Sequence, residues 1–178
     1  MNNKKKTLTA LLALIIVLAI AGAAYQYLSR AFAPDAQTTK KVAASDFTFV
    51  DKDGNEVKLS DYFGKPIVLN FWASWCGPCQ QEMPHFEKAY PEYEDDVTFL
   101  IVDLADGVRE STDSGKAFIE ESGYTFPVYF DTKSEGAVAY GITSIPTTFF
   151  IDKDGDIVTK YSGSLTEKKL LERIEMIK

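Results

Sequence analysis

The segment that most restricts the fold is an apolar run, KPIVLNFWA at positions 65–73, which is followed after two residues by Cys76. Its central part contains one polar side chain, Asn70, and such near-continuous hydrophobicity is typical of a strand that is buried on both faces. Helical character follows at 80–90, with Pro84 predicted to kink the helix. A strand of this kind needs helices on both sides of its sheet, so the sequence predicts an α/β domain.

The rest of the region 46–178 predicts the partners of that strand. The alternating segment FTFVDKDGNEVKL at 47–59 has Asp53-Gly54 at its centre, which indicates a β-hairpin. Further strands are predicted at 97–104, 126–131, 147–152 and 157–163, and further helices at 114–123, 134–142 and 165–178, with Ser114 and Gly123 as caps of the first. Strands with helical crossovers, then an antiparallel hairpin and a helix, describe a mixed sheet covered on both faces.

The first 45 residues differ in charge from the remainder of the chain. They contain six basic side chains and one acid, whereas residues 46–178 contain 13 basic and 25 acidic side chains, a formal charge of about −12. A surface this acidic repels a phosphate backbone, so we do not expect nucleic-acid binding.

Residues 8–24 are an uncharged apolar segment behind three consecutive lysines at 4–6. As a helix this segment would span about 26 Å, close to the hydrocarbon thickness of about 27–30 Å, and the lysines predict a cytoplasmic N-terminus. We expect a membrane anchor at 1–24, a tether at 25–45 and a folded domain at 46–178, giving a single-pass protein of the cell membrane whose domain is extracytoplasmic. A cleaved signal peptide, which would yield a secreted domain, is the alternative.

The chain contains two cysteines, Cys76 and Cys79, and they are three positions apart. A structural disulfide gains stability with the length of the loop that it closes, and a zinc site normally has four ligands, so neither role suits the pair. At the start of a helix, unpaired N–H groups and the helix dipole stabilise a thiolate. We predict a redox-active pair in which Cys76 is the exposed nucleophile and Cys79 the buried resolving thiol, with Pro78 suited to the first helical turn.

The motif FWASWCGPC at 71–79 resembles the active site of the thioredoxin family, and ITSIPTTFFID at 142–152 is similar to that family's second motif. The resemblance covers roughly 45–178 and implies a thioredoxin fold with a cis bond before Pro146. In the family, the residue before this proline offers backbone hydrogen bonds to the substrate chain. Trp72 is expected in the core. The substrate-binding positions that the resemblance implies are Trp75, Gly77, Pro78, Ile145 and Pro146.

Within that superfamily the chain resembles the membrane-tethered thiol–disulfide oxidoreductases of the TlpA/ResA type. The N-terminal anchor, the hairpin ahead of the first buried strand, the CxxCxxEMP motif and the inserted segment at 105–125 carry this resemblance. It implies a thioredoxin fold with an added N-terminal β-hairpin and a central insertion, which either contacts a partner or decorates the surface. It also implies reduction of disulfides in exported proteins, for example apocytochrome c during cytochrome c maturation.

The same resemblance implies the partners of the reaction. Electrons would come from an integral membrane thiol carrier of the CcdA/DsbD sort, and disulfides of exported proteins would be the substrates. We expect a monomer that needs no cofactor besides the redox-active disulfide Cys76–Cys79.

Glu82 follows Cys79 by three residues, so the two side chains are neighbours on a helix. Cytoplasmic thioredoxins carry a buried acid at the position of Asn70, and an asparagine side chain cannot take a proton. Glu82 matches a glutamate of functional importance in the ResA-type pattern, and a partly buried carboxylate there would have a raised pKa and could exchange a proton with Cys79. The predicted catalytic set is therefore Cys76, Cys79 and Glu82; an exposed helix glutamate is the alternative for Glu82.

Three other functions are compatible with a CxxC pair. The Gly-Pro dipeptide between the cysteines is that of thioredoxin, near −270 mV, and it favours a reductant over a disulfide-forming oxidant such as DsbA, near −120 mV. A copper chaperone would add His85, the single histidine, but six residues beyond Cys79 it is expected on another helix face, so no metal site is predicted. A thiol peroxidase usually has Thr and Arg beside its cysteine, and the segment around the cysteines contains no arginine.

Overall fold

The computed structural model describes residues 42–178, together with Leu18 and Gly22. The strands are β1 (Val42–Ala43), β2 (Thr48–Val50), β3 (Glu56–Lys58), β4 (Ile67–Trp72), β5 (Thr98–Asp103), β6 (Val128–Phe130), β7 (Thr147–Ile151) and β8 (Asp156–Ser162). The helices are α1 (Gly77–Tyr93), α2 (Thr112–Ser122), α3 (Glu135–Ala139) and α4 (Glu167–Ile177), with a 3-10 turn at Leu59–Tyr62.

The predicted anchor at 1–24 and most of the predicted tether at 25–45 lie outside the described residues, so both stay predictions. Within the described part, no helix combines the length and the apolar character needed to span a bilayer.

The strands form one mixed sheet in the order β1-β8-β7-β4-β5-β6-β2-β3. β4 lies inside the sheet, pairing in parallel with β5 and antiparallel with β7. β5 and β6 are also parallel, whereas the β2–β3 and β7–β8 pairs are antiparallel hairpins, as predicted. The sequence-based expectation of a mixed sheet with helical crossovers, an added N-terminal hairpin and a terminal hairpin is confirmed.

Strand β4 is buried over its whole length, and its side chains alternate between two apolar cores. Leu69 and Phe71 belong to one core, while Val68 and Trp72 belong to the other, which also contains buried residues of α1 and α4. Trp72 is fully buried, in agreement with the prediction. Because successive side chains of a strand point to opposite faces, Asn70 shares the face of Val68 and Trp72 and points toward α1.

Helix α1 begins directly after Cys76 and is longer at both ends than the predicted segment 80–90. Cys76 is the N-cap residue, and its Sγ accepts a hydrogen bond from the backbone N–H of Cys79 at 3.2 Å. Pro78 occupies the first turn, where the helix has no use for its missing N–H. Pro84 and Pro91 lie inside the helix without ending it. The free energy gained by burying one face of α1 in the core exceeds the loss from the backbone hydrogen bonds that these prolines remove.

Helix α2 begins at Thr112, earlier than the predicted start at Ser114. Ser111 is the N-cap: its Oγ accepts from the backbone N–H of Ser114 at 3.1 Å, and the Ser114 hydroxyl accepts from the N–H of Ser111 at 2.9 Å. The assignment of Ser114 as the cap is therefore wrong, because Ser114 is the reciprocal partner in a capping box. Gly123 ends the helix in the left-handed conformation, with φ 71°, as predicted.

Candidate active site

The two cysteines lie between the carboxyl end of β4 and the N-terminus of α1, and they form a disulfide. Cys79 is completely buried, whereas 4% of the surface of Cys76 is exposed. The order of exposure is the one expected for a nucleophile and a resolving thiol. Among the two sulfurs, an approaching substrate can therefore contact only Cys76.

The polar surroundings of Cys76 come from two distant parts of the chain. Its Sγ accepts the N–H of Cys79 and lies 3.7 Å from the carbonyl oxygen of Ile145. The Ile145–Pro146 peptide bond is cis, as the family resemblance implies. A backbone N–H directed at the sulfur at a helix N-terminus favours the thiolate over the thiol.

Four of the five predicted substrate-binding residues line one groove. Trp75, Gly77, Pro78 and Ile145 surround it together with Cys76, and its volume is about 460 Å³. Trp75 is 45% exposed, whereas Pro146 is buried. A Cβ added to Gly77 would meet no atom within 4 Å, so this glycine leaves open space at the approach to Cys76.

The opposite wall of the groove comes from the loop between β5 and α2, at the start of the segment predicted to be inserted. Leu104, Asp106, Arg109 and Glu110 line it. The guanidinium carbon of Arg109 lies 3.7 Å from the centre of the Trp75 ring. The segment around the cysteines contains no arginine, but the fold brings Arg109 of a distant loop to Trp75, the residue next to Cys76. Thr143 lines the same groove.

Sequence reasoning did not identify this loop as part of the site, although one signal was available. The polar segment ADGVRE directly follows a buried strand, at the carboxyl edge of the sheet. Functional groups of α/β sheets collect at that edge.

Glu110 attaches the loop to the cysteine segment. It is 3% exposed, and its Oε2 accepts hydrogen bonds from the backbone N–H and the hydroxyl of Ser74 at 3.2 and 2.9 Å. Its Oε1 accepts from the Ser114 hydroxyl at 2.7 Å. Asp106 Oδ1 accepts three backbone N–H groups of residues 108–110 at 2.8–3.3 Å, and these bonds lower the pKa of Asp106. Hydrogen bonds to the side chains of Asp106 and Glu110 thus hold the loop in place.

Glu82 is fully buried on α1, one turn after Cys79. Its Oε1 accepts from Asn70 Nδ2 and its Oε2 from the backbone N–H of Leu165, each at 2.8 Å. Asn70 Nδ2 also donates to Thr148 Oγ1 at 2.9 Å. The alternative of an exposed helix glutamate is wrong.

Burial raises the pKa of Glu82 to about 7, even though both hydrogen bonds to its carboxylate act to lower it. A carboxyl group with a pKa near ambient pH is well suited to proton transfer, because both of its forms are populated. Since Glu82 follows Cys79 by one turn of α1, its carboxyl group lies on the helix face of the resolving thiol.

A second buried carboxyl group, that of Asp103, ends β5 directly before the loop. Burial, with smaller contributions from the charges of Glu110 and Asp106, raises the pKa of Asp103 to about 8. Neither of its oxygens has a hydrogen-bond partner among the described residues. Sequence reasoning did not single it out, although an acid at the end of the apolar run VTFLIVD was a visible signal.

His85 is half-buried on α1. Over residues 42–178, no group of three or more His, Cys, Asp or Glu side chains is arranged to hold a metal ion.

Comparison with known proteins gives the family. Residues 41–160 match the AhpC/TSA family. The chain is 34% identical to the thiol-disulfide oxidoreductase ResA of Geobacillus thermodenitrificans over 175 residues, which cover 98% of this chain and 99% of that protein.

Two solved structures share the fold. The thiol:disulfide interchange protein DsbE of Chlorobium tepidum aligns with a TM-score of 0.68 and 32% identity, covering 77% of this chain and 96% of its own. The pneumococcal exposed lipoprotein thioredoxin Etrx1 of Streptococcus pneumoniae aligns with a TM-score of 0.66 and 33% identity, covering 74% of this chain and 99% of its own. These neighbours confirm the predicted thioredoxin fold. With its Cys76–Cys79 pair at the site of this fold, the chain belongs to the AhpC/TSA family of the thioredoxin superfamily and is a ResA-like thiol–disulfide oxidoreductase.

Proposed function

We propose that the protein reduces disulfides of exported proteins on the extracytoplasmic side of the cell membrane, with apocytochrome c as one such substrate. The observation that carries this proposal is the buried Glu82, whose pKa of about 7 provides a proton acceptor one helical turn from Cys79. A dithiol that reduces a substrate must lose the proton of its resolving thiol inside the core, where water cannot take it.

The reaction consists of two successive thiol–disulfide exchanges. The Cys76 thiolate attacks one sulfur of the substrate disulfide, forming a mixed disulfide and releasing the other substrate sulfur as a thiolate. Cys79 gives its proton to Glu82 and attacks Cys76 Sγ, which releases the second substrate sulfur. The enzyme ends as the disulfide seen here, and the substrate has gained two electrons.

The residues between the cysteines support the proposed direction of the reaction. Gly77 and Pro78 carry no charge and donate no side-chain hydrogen bond, so the thiolate of Cys76 lacks the extra stabilisation that makes DsbA an oxidant. A reductant outside the cytoplasm needs a supply of electrons, and we propose an integral membrane thiol carrier of the CcdA/DsbD sort as its donor.

The proposed location rests on the N-terminal segment and on the relatives. The apolar run at 8–24 follows three lysines, and the similarity to ResA extends over 98% of the chain, so it includes most of this segment. The similar protein of S. pneumoniae is described as an exposed lipoprotein. A retained anchor would place the domain outside the membrane with the N-terminus in the cytoplasm.

The reduction potential tests the direction. The full chain, purified in detergent, is equilibrated across a graded glutathione buffer at pH 7, its free thiols are trapped, and the products are counted by mass. We expect one two-electron transition below about −220 mV, whereas a transition above about −160 mV would make the protein an oxidant. The variant Cys76→Ala serves as the control that cannot form the disulfide.

The substrates can be captured with Cys79→Ala. This variant retains the attacking thiol but cannot resolve the mixed disulfide, so we expect covalent complexes with exported proteins in cells. Their absence, under conditions where the variant is folded and Cys76 is reduced, would contradict the exchange role.

A thiol peroxidase is a second candidate, because the fold brings Arg109 and Thr143 to the groove of Cys76. In that reaction the Cys76 thiolate would attack a peroxide oxygen, giving a sulfenic acid and water. Stopped-flow measurement of thiol loss with hydrogen peroxide separates the two functions. Our proposal predicts a rate close to that of an ordinary thiolate and insensitive to Arg109→Gln.

A further inference from the structure

We propose that Arg109 determines substrate specificity by binding a carboxylate that flanks the reacting cysteine of the substrate polypeptide. This inference rests on the proposed disulfide reduction at Cys76 and concerns the same groove. The loop at 105–110 then forms a recognition wall of the site.

The contacts of Arg109 hold its guanidinium group in place but leave the hydrogen-bond donors of that group unused. It lies against the face of the Trp75 ring at 3.7 Å, and Arg109 is exposed. Stacking uses the flat face of the guanidinium, while its N–H donors point outward from the edge of the plane. Within the part of the chain that the structure describes, this guanidinium donates no hydrogen bond to a protein group. Its donors are therefore free for a ligand in the groove that Arg109 lines.

The two acidic side chains of the same loop, Asp106 and Glu110, accept hydrogen bonds from groups other than the Arg109 side chain. Both oxygens of Glu110 accept hydrogen bonds from serines, and Asp106 Oδ1 accepts three backbone N–H groups. Asp106 is close enough for the Arg109 charge to contribute to the lowering of its pKa. That effect is smaller than those of the backbone hydrogen bonds of Val108 and Arg109.

Apolar residues line another part of the groove. Leu104, Ile142 and Ile145 supply half-buried apolar walls, and Val108 at the tip of the loop is 88% exposed. A substrate cysteine must reach Cys76, which is adjacent in sequence to Trp75 and its stacked arginine. Residues of an extended strand are about 3.3 Å apart. The side chain that meets Arg109 therefore belongs to a residue one or two positions from the substrate cysteine.

A carboxylate is the group that such an arginine selects. The planar fork of Arg matches the two oxygens of a carboxylate, and the pair is stronger than a neutral hydrogen bond. The domain as a whole is acidic, with a formal charge of about −12 for residues 46–178, so its long-range field repels acidic substrates in general. Arg109 would therefore select among substrate polypeptides only after they have reached the groove.

The test compares three synthetic peptides that differ at one position. Each contains the same intramolecular disulfide, with Glu, Gln or Lys directly beside the reacting cysteine. The full chain in detergent is reduced, and the second-order rate constant of peptide reduction is measured for each. For the wild type we expect Glu to react about fivefold faster than Gln, which corresponds to an exposed ion pair of about 1 kcal/mol, and Lys to react more slowly.

Variants of Arg109 show whether this residue causes the difference in rate between the peptides. Arg109→Gln is expected to remove the Glu-to-Gln ratio, and Arg109→Glu to invert the order so that the Lys peptide reacts fastest. Arg109→Lys should retain only part of the preference, because lysine keeps the charge but not the planar fork. Lys116→Gln is the matched control: it removes one positive charge from α2 outside this groove, and the wild-type ratios should persist.

Arg109→Gln and Lys116→Gln each remove one positive charge and so change the field of the whole domain by the same amount, which means that a difference between their ratios of rate constants isolates the local role of Arg109. Ratios that are the same in Arg109→Gln and in the wild type would overturn the role of Arg109 while leaving the reductase proposal intact. A wild type that reduces none of the three peptides would refute the reductase proposal and, with it, this one.

Discussion

Asn70 donates a hydrogen bond from Nδ2 to Oε1 of Glu82 over 2.8 Å, at a place where neither side chain is exposed to solvent. The buried acid one helical turn from Cys79 therefore lies on helix α1, and strand β4 beside it contributes a neutral amide. A carboxyl beside an amide titrates as a single group, whereas two adjacent carboxyls would share their protons. Burial raises the pKa of Glu82 to about 7, and the Leu165 N–H and the Asn70 amide both limit this rise because they stabilise the charged form.

Replacing Glu82 by glutamine should remove the proton acceptor of the resolving step. Glutamine has nearly the same shape and can still accept one of the two hydrogen bonds, so we expect the fold to persist. The rate of disulfide reduction should fall about tenfold or more at pH 7, and the inflection of the rate near pH 7 should disappear. Stopped-flow rates between pH 5 and 9 provide the measurement.

Glu121→Gln is the control for this change, because it removes an exposed carboxylate from α2 without touching the core. It should leave the pH profile unchanged. A Glu82→Gln variant with the profile of the wild type would show that another group accepts the proton.

Replacing Asn70 by alanine should raise the pKa of Glu82 above its present value of about 7. The variant loses one of the two hydrogen bonds that favour the carboxylate, while the burial that favours the neutral acid remains. We expect the inflection of the rate profile to move to higher pH. The carboxyl carbon resonance of Glu82, followed by NMR across the same range, measures the shift directly; movement toward lower pH would contradict this account.

Asp103 and Glu82 should make the oxidised protein less stable as pH rises. The pKa of Asp103 is 3.8 in a solvated reference and about 8 in the fold, and that of Glu82 changes from 4.5 to about 7. Between pH 5 and 6.5 both groups hold a proton in the folded state and have lost it in the unfolded state. Each therefore lowers the free energy of unfolding by up to about 1.4 kcal/mol per pH unit in this window.

The variant Asp103→Asn tests this contribution, since the amide has the same shape and no proton to lose. We expect the dependence of the unfolding free energy on pH to become about half as steep between pH 5 and 6.5. Urea unfolding of the oxidised protein at several pH values measures it, with Asp113→Asn on the surface of α2 as the control. Equal slopes in the variant and the wild type would show that Asp103 is ionised in the fold.

Gly115 should not tolerate alanine. A Cβ at this position would overlap the Asp103 carboxyl group and lie 3.1 Å from the ring of Phe130, so either α2 or these two side chains would have to shift. We expect a loss of about 1–3 kcal/mol in the unfolding free energy, although alanine is the better helix former. Gly77→Ala is the matched control for stability, because a Cβ there contacts nothing within 4 Å. Equal stability of Gly115→Ala and the wild type would contradict the packing described here.

Much of the fold and the cysteine pair could be predicted from the sequence. The β2–β3 and β7–β8 hairpins, the buried strands β4 and β5 and the cysteine motif at the start of α1 were predicted near their observed positions. The start of α2 was misplaced because Ser111 and Ser114 are both plausible caps, and only the reciprocal bonds between them show which one begins the helix.

The sequence by itself determined the local structures, because alternating hydrophobicity and capping side chains act between residues that are close along the chain. It also determined that Cys79 and Glu82 share a helix face. The tertiary structure alone decided which residues surround them: Asn70 and Leu165 bind the same carboxyl group although they lie far from it in sequence. The contact of Arg109 with Trp75 likewise exists only because β4 and β5 are neighbours in the sheet. Such contacts depend on strand order and on the path of the loops, which no local pattern of residues specifies.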